Sequence, residues 1–582
     1  MTALPTALTH AAAGPRPALW ALAAGTGLRR QAETEWFGSP FHLLGLRGPR
    51  AEAAAVRPHD ARPVRPDVGA ALLKGVFAFG GETLDVGPGG DPWDQPSPSR
   101  AFAETLHRFA WIADLLATGE AGAREGLRLL LDWRRLFGRW NSFAWGALVL
   151  ERRVLHLACA LEPLTAAASE AETAVLANDL ARQARQLLKL RDPEHRAAER
   201  AAAAATAGAA LAGEAGERLI DQGLDRLRGA LDAAVLADGG HATRSPEAGM
   251  ELLFDLRALD DGLARRGHPA PPALSRAIDR LDAALPLFTL PDGRLACFQG
   301  GEECAAERVA AAPRPDVQGA ERRRPTQAPH AGYQRLQGRA MTILLDAGAP
   351  ARDAWSVAAC GQPGAIEILC GADRLITNCG WSPRAAGRDA FRLAGAGSTL
   401  SIGEGAAGTP AGGFIGRALG PRLIGGAREV KAARQEGDDG VLVELTHDGW
   451  LASWGFVHVR RLFLDPRTDE LRGEDRLSPA AGPDASPPRP PARRTAPVAV
   501  RFHLHPDVRA SLARDKRSVL LQGPSNQGWW LRNDAADVAV EPSVHFLDGV
   551  ARRTSQIVLH AQAPTDTGGR VRWKLTAAEP GA

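Results

Sequence analysis

Residues 101–116 read AFAETLHRFAWIADLL, and apolar side chains recur there at steps of three and four, at Phe102, Leu106, Phe109 and Ala113. That spacing places them on one face of a helix. Similar patterns predict further helices at Ala123–Leu136, Ser142–Leu161, Ala171–Leu190, Glu217–Leu236, Glu247–Arg265 and Pro272–Leu287. The Ala-rich stretch Ala197–Ala212 predicts a helix packed closely against its neighbours. Serial helices joined by short loops indicate a layered helical array or toroid.

Near residue 310 the helical pattern gives way to a period of two. Alternating segments, many of them separated by Gly, Pro or Asp turns, include Met341–Leu345, Ala365–Leu369, Arg374–Thr377, Gly440–Leu445, Phe456–Leu464, Val498–Leu504, Ser518–Leu521, Val538–Val540 and Thr554–His560. Such alternation predicts an antiparallel β-sandwich. Gly482–Pro497 is rich in Pro and predicts a solvated, extended insertion between strands.

These patterns predict four segments along the chain. Residues 1–74 are an N-terminal leader and entry segment, residues 75–304 a helical domain, residues 305–330 a linker rich in Pro, Arg and Ala, and residues 331–582 the sandwich. Pro17–Leu28 loosely imitates the apolar core of a secretory signal, but Gly25 and Gly27 interrupt it. We therefore expect a poorly ordered leader or a first helix here rather than a cleaved signal, which favours a cytoplasmic location.

Composition excludes several classes of protein. The 582 residues carry a formal charge of +3, with 45% hydrophobic and 24% charged residues, so the chain is neither a disordered coil nor a general nucleic-acid binder. The sequence contains no apolar run long enough to predict a transmembrane segment. The six cysteines show no CxxC spacing, so we expect reduced, mostly buried thiols.

Particular phrases resemble the heparinase II/III-like proteins. In the first half they are LHRFAW (106–111) followed by Asp114, RWN (139–141) with Trp145, and DGGH (238–241) with RSP (244–246). In the second half they are GYQRL (332–336), NCG (378–380), STL (398–400), HDG (447–449) and RFHLHP (501–506). The resemblance runs in order over roughly residues 75–575. It implies an incomplete (α/α) toroid followed by an antiparallel β-sandwich.

The known members of that family are polysaccharide lyases that act on uronate-containing glycans. The resemblance therefore implies β-elimination: a base removes the C5 proton of a uronate, an acid protonates the leaving oxygen, and a cation or amide neutralises the carboxylate. In the family, Tyr and His usually supply the base and the acid. The ligand would be an acidic polysaccharide or oligosaccharide in a cleft between toroid and sandwich. Family relatives often work in the cell envelope or periplasm.

Several family positions are replaced in this chain. The Asn-His pair of the toroid has no counterpart, and Glu194-His195-Arg196 is the nearest local candidate. In the sandwich, the positions that the family fills with His, Asp and His are Cys360, Asn378 and Gly397. Cys360 and Asn378 alone are not a zinc set, so we expect no metal of the family type and no cofactor.

The remaining candidates for proton transfer are His241, His447 and Tyr333. His241 follows the turn at Asp238-Gly239-Gly240 and lies three residues before Arg244, which could clamp a carboxylate. The alternative for this pair is hydrogen bonding to the local backbone at a helix entry. For His447 the alternative is a structural role in the turn with Asp448-Gly449. For Tyr333, the only tyrosine, it is packing between the domains.

The substrate-binding candidates are Asn141, Trp145, Arg244, Arg388, Arg392 and Trp450. Asn141 and Trp145 would share a helical face if a helix begins near Asn141, with Trp145 stacking on a sugar or lying in the core. Trp450 is a possible stacking platform. Arg388 and Arg392 present either two cations to an acidic glycan or a solvated pair. His503 and His505 alternate on one strand, but no third metal ligand is evident from the sequence, and we expect His107 to pack within the first helix pair.

The sequence thus predicts a heparinase II/III-like polysaccharide lyase. The alternative, given the replaced positions, is a catalytically inactive glycan-binding or polysaccharide-assembly protein of the same fold. A geometric expectation accompanies the lyase hypothesis: His241, Arg244, Asn141 and His447 converge on one groove. The oligomeric state cannot be deduced from the sequence.

Overall fold

The computed structural model describes residues 17–314, 324–385, 387–403, 405–480 and 494–578. Helices dominate up to residue 311. They are α1 (Pro17–Gly38), α2 (Pro40–Gly45), α3 (Pro66–Leu73), α4 (Arg100–Arg108), α5 (Ile112–Leu116), α6 (Glu120–Phe137), α7 (Ala147–Thr165), α8 (Glu170–Lys189), α9 (Ala197–Ala210), α10 (Gly213–Ala234), α11 (Pro246–Arg265), α12 (Pro272–Phe288) and α13 (Ala306–Ala311). A hairpin of β1 (Val76–Phe79) and β2 (Glu82–Asp85) precedes α4.

The Ala-rich helix α9 lies at the centre of the helical half and contacts α7, α8, α10 and α11. Every residue of α9 except Ala197 is buried. Small side chains allow this close approach, because a Cβ on Gly223 of α10 would already lie 2.8 Å from the Cβ of Ala205. The close packing predicted from the Ala-rich composition is the observed arrangement.

The first predicted helix differs from its pattern. Residues 101–116 form two helices, α4 and α5, because Phe109 takes a left-handed conformation with φ of 59° and ends α4. The indole of Trp111 then donates to the carbonyl of Leu106 at 2.9 Å. The apolar spacing still holds, since Phe102, Leu106 and Phe109 are all buried in one core.

Strands dominate from residue 327 onward. They are β3 (Gln327–Ala328), β4 (Tyr333–Gln337), β5 (Met341–Asp346), β6 (Ile366–Cys370), β7 (Asp373–Thr377), β8 (Leu400–Ile402), β9 (Thr409–Pro410), β10 (Leu423–Ile424), β11 (Val430–Gly437), β12 (Gly440–His447), β13 (Phe456–Asp465), β14 (Glu470–Pro479), β15 (Thr495–Leu504), β16 (Arg509–Leu512), β17 (Ser518–Gln522), β18 (Gly528–Asn533), β19 (Asp537–Leu547), β20 (Val550–Pro564) and β21 (Gly569–Ala577). Two short helices interrupt them, α14 (Gly413–Leu419) and α15 (Leu451–Trp454).

The long strands form two antiparallel sheets that pack face to face, as predicted. One sheet has the order β11-β12-β13-β14-β21-β18-β17-β16, and the other has the order β19-β20-β15-β7-β6-β5-β4-β3, with β8 paired to β15. The inward-facing apolar residues of both sheets share one core. Along β13, buried residues alternate with more exposed ones, and this is the period of two from which the strands were predicted.

Contacts at two places join the halves, in addition to those at the turn between α10 and α11. Helix α1 packs on α14 of the sandwich, where the rings of Trp20 and Phe414 stack at 5.7 Å, while Arg29 pairs with Asp192 of the helical half. The second connection is the segment that follows α12, residues 289–304, which we call the joint segment. Its carboxylates reach into the sandwich, where Arg374 binds Asp292 at 2.9 Å.

Part of the predicted linker is structured. Helix α13 and strand β3 occupy its ends, and Arg257 holds α13 by donating to the carbonyls of Ala311, Ala312 and Pro313. Residues 1–16, 315–323 and 481–493 lie outside the described residues, so the middle of the predicted linker and most of the predicted insertion are not described. Within the described ranges, every helix is too short or too polar to cross a membrane.

The sandwich core contains a buried ion pair whose removal tests its packing. Arg460 donates to both oxygens of Asp475 at 2.7 and 3.0 Å, and both side chains are fully buried. We expect Asp475→Asn to lower the free energy of unfolding by about 3–5 kcal/mol, because Arg460 keeps its charge and loses its counter-ion. Urea denaturation followed by tryptophan fluorescence measures this difference.

The matched control is Glu444→Gln, which breaks the exposed Arg461–Glu444 pair on the same sheet. We expect it to change the free energy of unfolding by less than about 1 kcal/mol, because solvent screens that pair. Equal losses for the two variants would contradict the assignment of Arg460–Asp475 as a buried structural pair.

Candidate functional site

The candidate site lies where the helical half meets the sandwich, at the turn that joins α10 to α11. His241 sits in this turn and is 3% exposed. The backbone amide of Thr243 donates to His241 Nδ1 at 3.3 Å, and the Thr243 hydroxyl lies 2.7 Å from the same nitrogen. Because Nδ1 accepts, we infer that the ring proton is on Nε2. His241 Nε2 is buried and has no hydrogen-bond partner among the residues that the structure describes.

Arg244 and Tyr333 come together beside this turn. The Tyr333 hydroxyl donates to the carbonyl of Arg244 at 2.6 Å, and the Arg244 guanidinium lies 5.0 Å from the centre of the Tyr333 ring. Arg244 donates to the carbonyls of Ala331, Gly332, Gly348 and Ala349 and pairs with Asp346. The guanidinium predicted as a clamp for a substrate carboxylate is thus bonded to the backbone of the sandwich and to Asp346 in this structure.

Tyr333 is fully buried between the two halves. Its ring packs against Phe288 at 5.1 Å and Phe298 at 5.5 Å. Burial raises the pKa of the phenol well above its usual value of 10, and the nearby Asp346 raises it further. A phenolate is thus disfavoured, and the contacts are those of the packing alternative.

A second histidine lies close to His241. His195 belongs to a 3-10 turn, Glu194–Arg196, that packs on another 3-10 turn, Asp353–Ala358. The second turn carries Trp355, whose ring lies 5.8 Å from that of His241. His195 Nδ1 is also buried without a hydrogen-bond partner. The sequence indicated His195 only as the nearest candidate for the missing Asn-His pair. It did not indicate Trp355, because the residue that Trp355 contacts, His241, lies in the other half of the chain.

Burial and positive charge control the protonation of these two histidines. Burial, together with the nearby Arg196 cation, lowers the pKa of His241 from 6.5 to about 3. Burial likewise lowers the pKa of His195 to about 3, and Arg196, His241, Arg200 and Arg422 add repulsion. Both rings are neutral at pH 7. Three arginines lie near His195, and one of them, Arg196, is paired with Glu151 and Glu199.

His447 and Trp450 lie elsewhere, in the interior of the sandwich. His447 Nε2 is 2.8 Å from His458 Nδ1, and His458 Nε2 is 2.9 Å from Asp475. The amide of Gly449 donates to His447 Nδ1 at 3.1 Å, so both ring nitrogens of His447 are occupied. Burial lowers the pKa of His447 well below 6.5. Trp450 is fully buried in the same core, so neither residue faces a groove.

Asn141 and Trp145 do not share a helical face, because α7 begins only at Ala147. Asn141 Oδ1 accepts from the amide of Ala144 at 2.7 Å in a turn. The Trp145 side chain is buried, and its indole donates to the carbonyl of Phe137 at 2.8 Å. The predicted sugar-binding pair is therefore a turn and a core residue of the helical half.

Arg388 and Arg392 also differ from a solvated pair. Arg392 is fully buried and donates to the carbonyls of Ser356, Ala359 and Pro421. Arg388 is exposed, and its guanidinium lies 5.4 Å from the centre of the Phe546 ring. Of the two, only Arg388 presents a charge at the surface.

The expected convergence on one groove is not observed. His241, Arg244 and Tyr333 meet at the junction, whereas the side chains of His447 and Asn141 are bonded to other parts of the chain. Two cavities stand out in the described residues, one inside the helical half beside Trp133 and one inside the sandwich beside Asp475. None of the predicted site residues lines either of them.

A separate cluster of polar side chains lies where the joint segment enters the sandwich. Glu303, His505 and His545 are all buried, and one ligand atom from each lies within 4.8 Å of the other two. His505 belongs to the His-x-His phrase at the end of β15 and lies one residue beyond that strand. Its partners could not be found by spacing, since Glu303 and His545 lie about 200 residues and 40 residues away in the chain.

Comparisons with known proteins agree with this architecture. The family model described as "Heparinase II/III-like, C-terminal" matches residues 320–574. FtsZ-localized protein C of Caulobacter vibrioides (strain NA1000 / CB15N) is 55% identical over 547 residues, which cover 94% of each chain. The chain belongs to the heparinase II/III-like family.

Several solved structures have the same fold as this chain, although their sequences are less than 20% identical to it. A structure of heparinase III has a TM-score of 0.68 and 15% identity, with 97% of this chain and 92% of that chain covered. The heparan sulfate lyase HepC from Pedobacter heparinus has a TM-score of 0.57 and 17% identity, with 97% and 89% covered. These likenesses establish the helical toroid followed by the sandwich, and no more than the fold.

The burial of His241 generates a pH-dependent prediction. Its pKa in the folded chain, about 3, lies below the ordinary value of 6.5, so the unfolded chain binds this proton first as the pH falls. The stabilisation is complete above pH 6.5 and is lost progressively toward pH 3. In His241→Gln, we expect the slope of the free energy of unfolding against pH between pH 5 and 6 to fall by up to about 1.4 kcal/mol per pH unit.

Urea denaturation at a series of pH values measures the slope. His560→Gln is the control for losing an imidazole that is not buried, since His560 is 42% exposed. A slope for His241→Gln equal to that of the unsubstituted chain would mean that His241 titrates as it does in the unfolded state, as an accessible catalytic base could.

Proposed function

We propose that this chain is a non-catalytic member of the heparinase II/III-like family that acts as an assembly protein at FtsZ structures. The observation that carries the proposal is the 55% identity to FtsZ-localized protein C over 94% of both chains. Identity at this level along nearly the whole chain supports a shared role better than a fold likeness at 15–17% identity does.

The geometry at the junction supports the loss of lyase chemistry. A catalytic base must come within hydrogen-bonding reach of the C5 proton. Tyr333 is 0% exposed and its hydroxyl is bonded to the Arg244 carbonyl, while His447 is 1% exposed and paired with His458. The clamp for a uronate carboxylate is also missing, because Arg244 is bound to four carbonyls and Asp346.

Helix α1 supports the same proposal. It contacts α14 of the sandwich through Trp20 and Phe414, and it contacts Asp192, just before the turn that bears His195. A helix that connects the two halves beside the junction restricts the approach of a long polymer. Helix α1 therefore lies against both halves, on the side of the junction that carries Phe414 and Asp192.

Co-sedimentation with FtsZ tests the assembly role. We expect the full chain to pellet with GTP-assembled FtsZ polymers of the same organism and to stay in the supernatant when GDP replaces GTP. Heparinase III is the matched control, because it shares the fold and should not pellet. If this chain stays in the supernatant together with heparinase III, a direct role on FtsZ polymers is wrong.

A second candidate function is β-elimination on a uronate-containing acidic glycan in the cell envelope. One observation favours it: His195 Nδ1 and His241 Nε2 are buried ring nitrogens without hydrogen-bond partners among the described residues, and Arg196 lies near both rings. Unpaired polar atoms of this kind are costly, and active sites often contain them. An acidic sugar entering between the turns of His195 and Trp355 would meet donors and positive charge.

An absorbance assay decides between the two candidates. Purified chain is incubated with heparan sulfate, chondroitin sulfate and alginate, and the ultraviolet absorbance of the unsaturated uronate is followed. We expect no increase, with heparinase III on heparan sulfate as the positive control. An increase that disappears in His241→Gln but persists in His107→Gln would establish the lyase instead, since His107 is an equally buried histidine that packs on Trp133 in the helical half.

A further inference from the structure

Three side chains from distant parts of the chain meet where the joint segment enters the sandwich. Glu303 comes from the joint segment, His505 follows the end of β15, and His545 lies in β19. Glu303 and His545 are fully buried and His505 is 8% exposed. Buried carboxylates and imidazoles need partners, so the contacts within this trio decide its chemistry.

Two separations within the trio are close to those of ligands around one ion, and the third is within 4.8 Å. Glu303 Oε2 lies 3.4 Å from His505 Nε2 and 3.7 Å from His545 Nε2. Charge-assisted hydrogen bonds are shorter, at about 2.7–2.9 Å. In a tetrahedral site with metal–ligand bonds of about 2.0–2.1 Å, neighbouring ligand atoms lie about 3.3–3.4 Å apart. The observed separations fit the second geometry better.

Two atoms of the trio have no hydrogen-bond partner, Glu303 Oε2 and His545 Nε2. His545 Nδ1 is 3.0 Å from the carbonyl of Asn378, which can only accept, so the ring proton is on Nδ1 and a lone pair on Nε2. A carboxylate oxygen and an imidazole lone pair thus face one another in the interior. A bound cation removes this repulsion and satisfies both atoms.

His545 has the kind of outer partner that metal-binding histidines use. Such a histidine usually donates its other ring N–H to a backbone carbonyl or a carboxylate. His545 Nδ1 does so to the Asn378 carbonyl. His505 Nδ1 lies 3.4 Å from Asp507 Oδ2 and also 3.4 Å from the Asp507 amide, which donates to it, so a cation at His505 Nε2 requires the ring proton to lie on Nδ1 beside Asp507 Oδ2. Both Nε2 atoms are thereby directed toward Glu303.

The charges around the trio favour the binding of a cation. Arg294 pairs with the other oxygen of Glu303, and Arg374 Nε lies 3.8 Å from Glu303 Oε2. Arg374 also binds Asp292 and Glu367. Two guanidinium groups therefore face three carboxylates, and with neutral imidazoles one negative charge is uncompensated.

We propose that Glu303 Oε2, His505 Nε2 and His545 Nε2 bind a zinc-type divalent cation. Two imidazoles and one carboxylate are a ligand set that Zn²⁺ prefers. Among the described residues no fourth His, Cys, Asp or Glu joins the group, which leaves one tetrahedral position for a water. The set differs from Cys360, Asn378 and Gly397, which occupy the positions of the family's expected metal site. The ion ties the joint segment to the sandwich, and the proposal is independent of FtsZ binding and of lyase activity.

Zinc stoichiometry tests the proposal. The full chain is stripped with a chelator, incubated with excess ZnCl₂, desalted, and analysed for zinc by mass spectrometry. We expect one zinc per chain, and a fall in zinc affinity of more than about tenfold in His505→Gln and in His545→Gln, since even outer partners of a metal site are worth that much. The matched control is His560→Gln, which removes the imidazole of an exposed His–Glu pair with a similar separation, 3.6 Å, from Glu541.

Thermal unfolding separates binding from failure to fold. We expect zinc to raise the Tm of the unsubstituted chain and of His560→Gln, and to leave the Tm of His505→Gln unchanged. Co²⁺ in place of zinc should give the visible absorption of a tetrahedral site in the first two proteins only. The proposal is overturned if the unsubstituted chain holds no zinc, or if all variants hold the same amount, which would indicate an adventitious ion only.

Discussion

Carboxylates of the joint segment are buried inside the sandwich, and the relation between the two halves depends on them. Asp292 is bound by Arg374, Glu302 accepts from Ser382 and from the amide of Gly549, and Glu303 faces two histidines and two arginines. An unpaired charge in this position would cost several kcal/mol, so each carboxylate requires its partner on the other half. The helical half and the sandwich are consequently held in one arrangement by charge pairing as well as by apolar contact.

The same constraint explains why residues that resemble a catalytic set serve the structure. Tyr333 and Arg244 lie at this junction, and the backbone carbonyls there need donors. Once a guanidinium and a phenol satisfy those carbonyls, they are no longer free to hold a sugar or to move its protons. The fold of the family is retained, while these polar groups hold the two halves together.

The sequence predicted much of the fold, because helices and strands follow from local periodicity. The apolar repeat over 247–265 matches α11, and the alternation over 456–464 lies within β13. Errors arose where a single backbone conformation overrides the repeat, as at Phe109, or where a helix begins later than the pattern suggests, as at Ala147. Propensity and periodicity do not encode either event.

For the candidate site, the sequence by itself determined which chemical groups are available: a single phenol, a set of histidines, and arginines near the family's motifs. Only the tertiary structure decided which of them are bonded and to what. His505 acquires Glu303 and His545 as neighbours through sheet pairing and the path of the joint segment, and Trp355 reaches His241 across the junction. Composition and spacing are local properties of the chain, whereas burial and partnership are set by contacts between residues far apart in it.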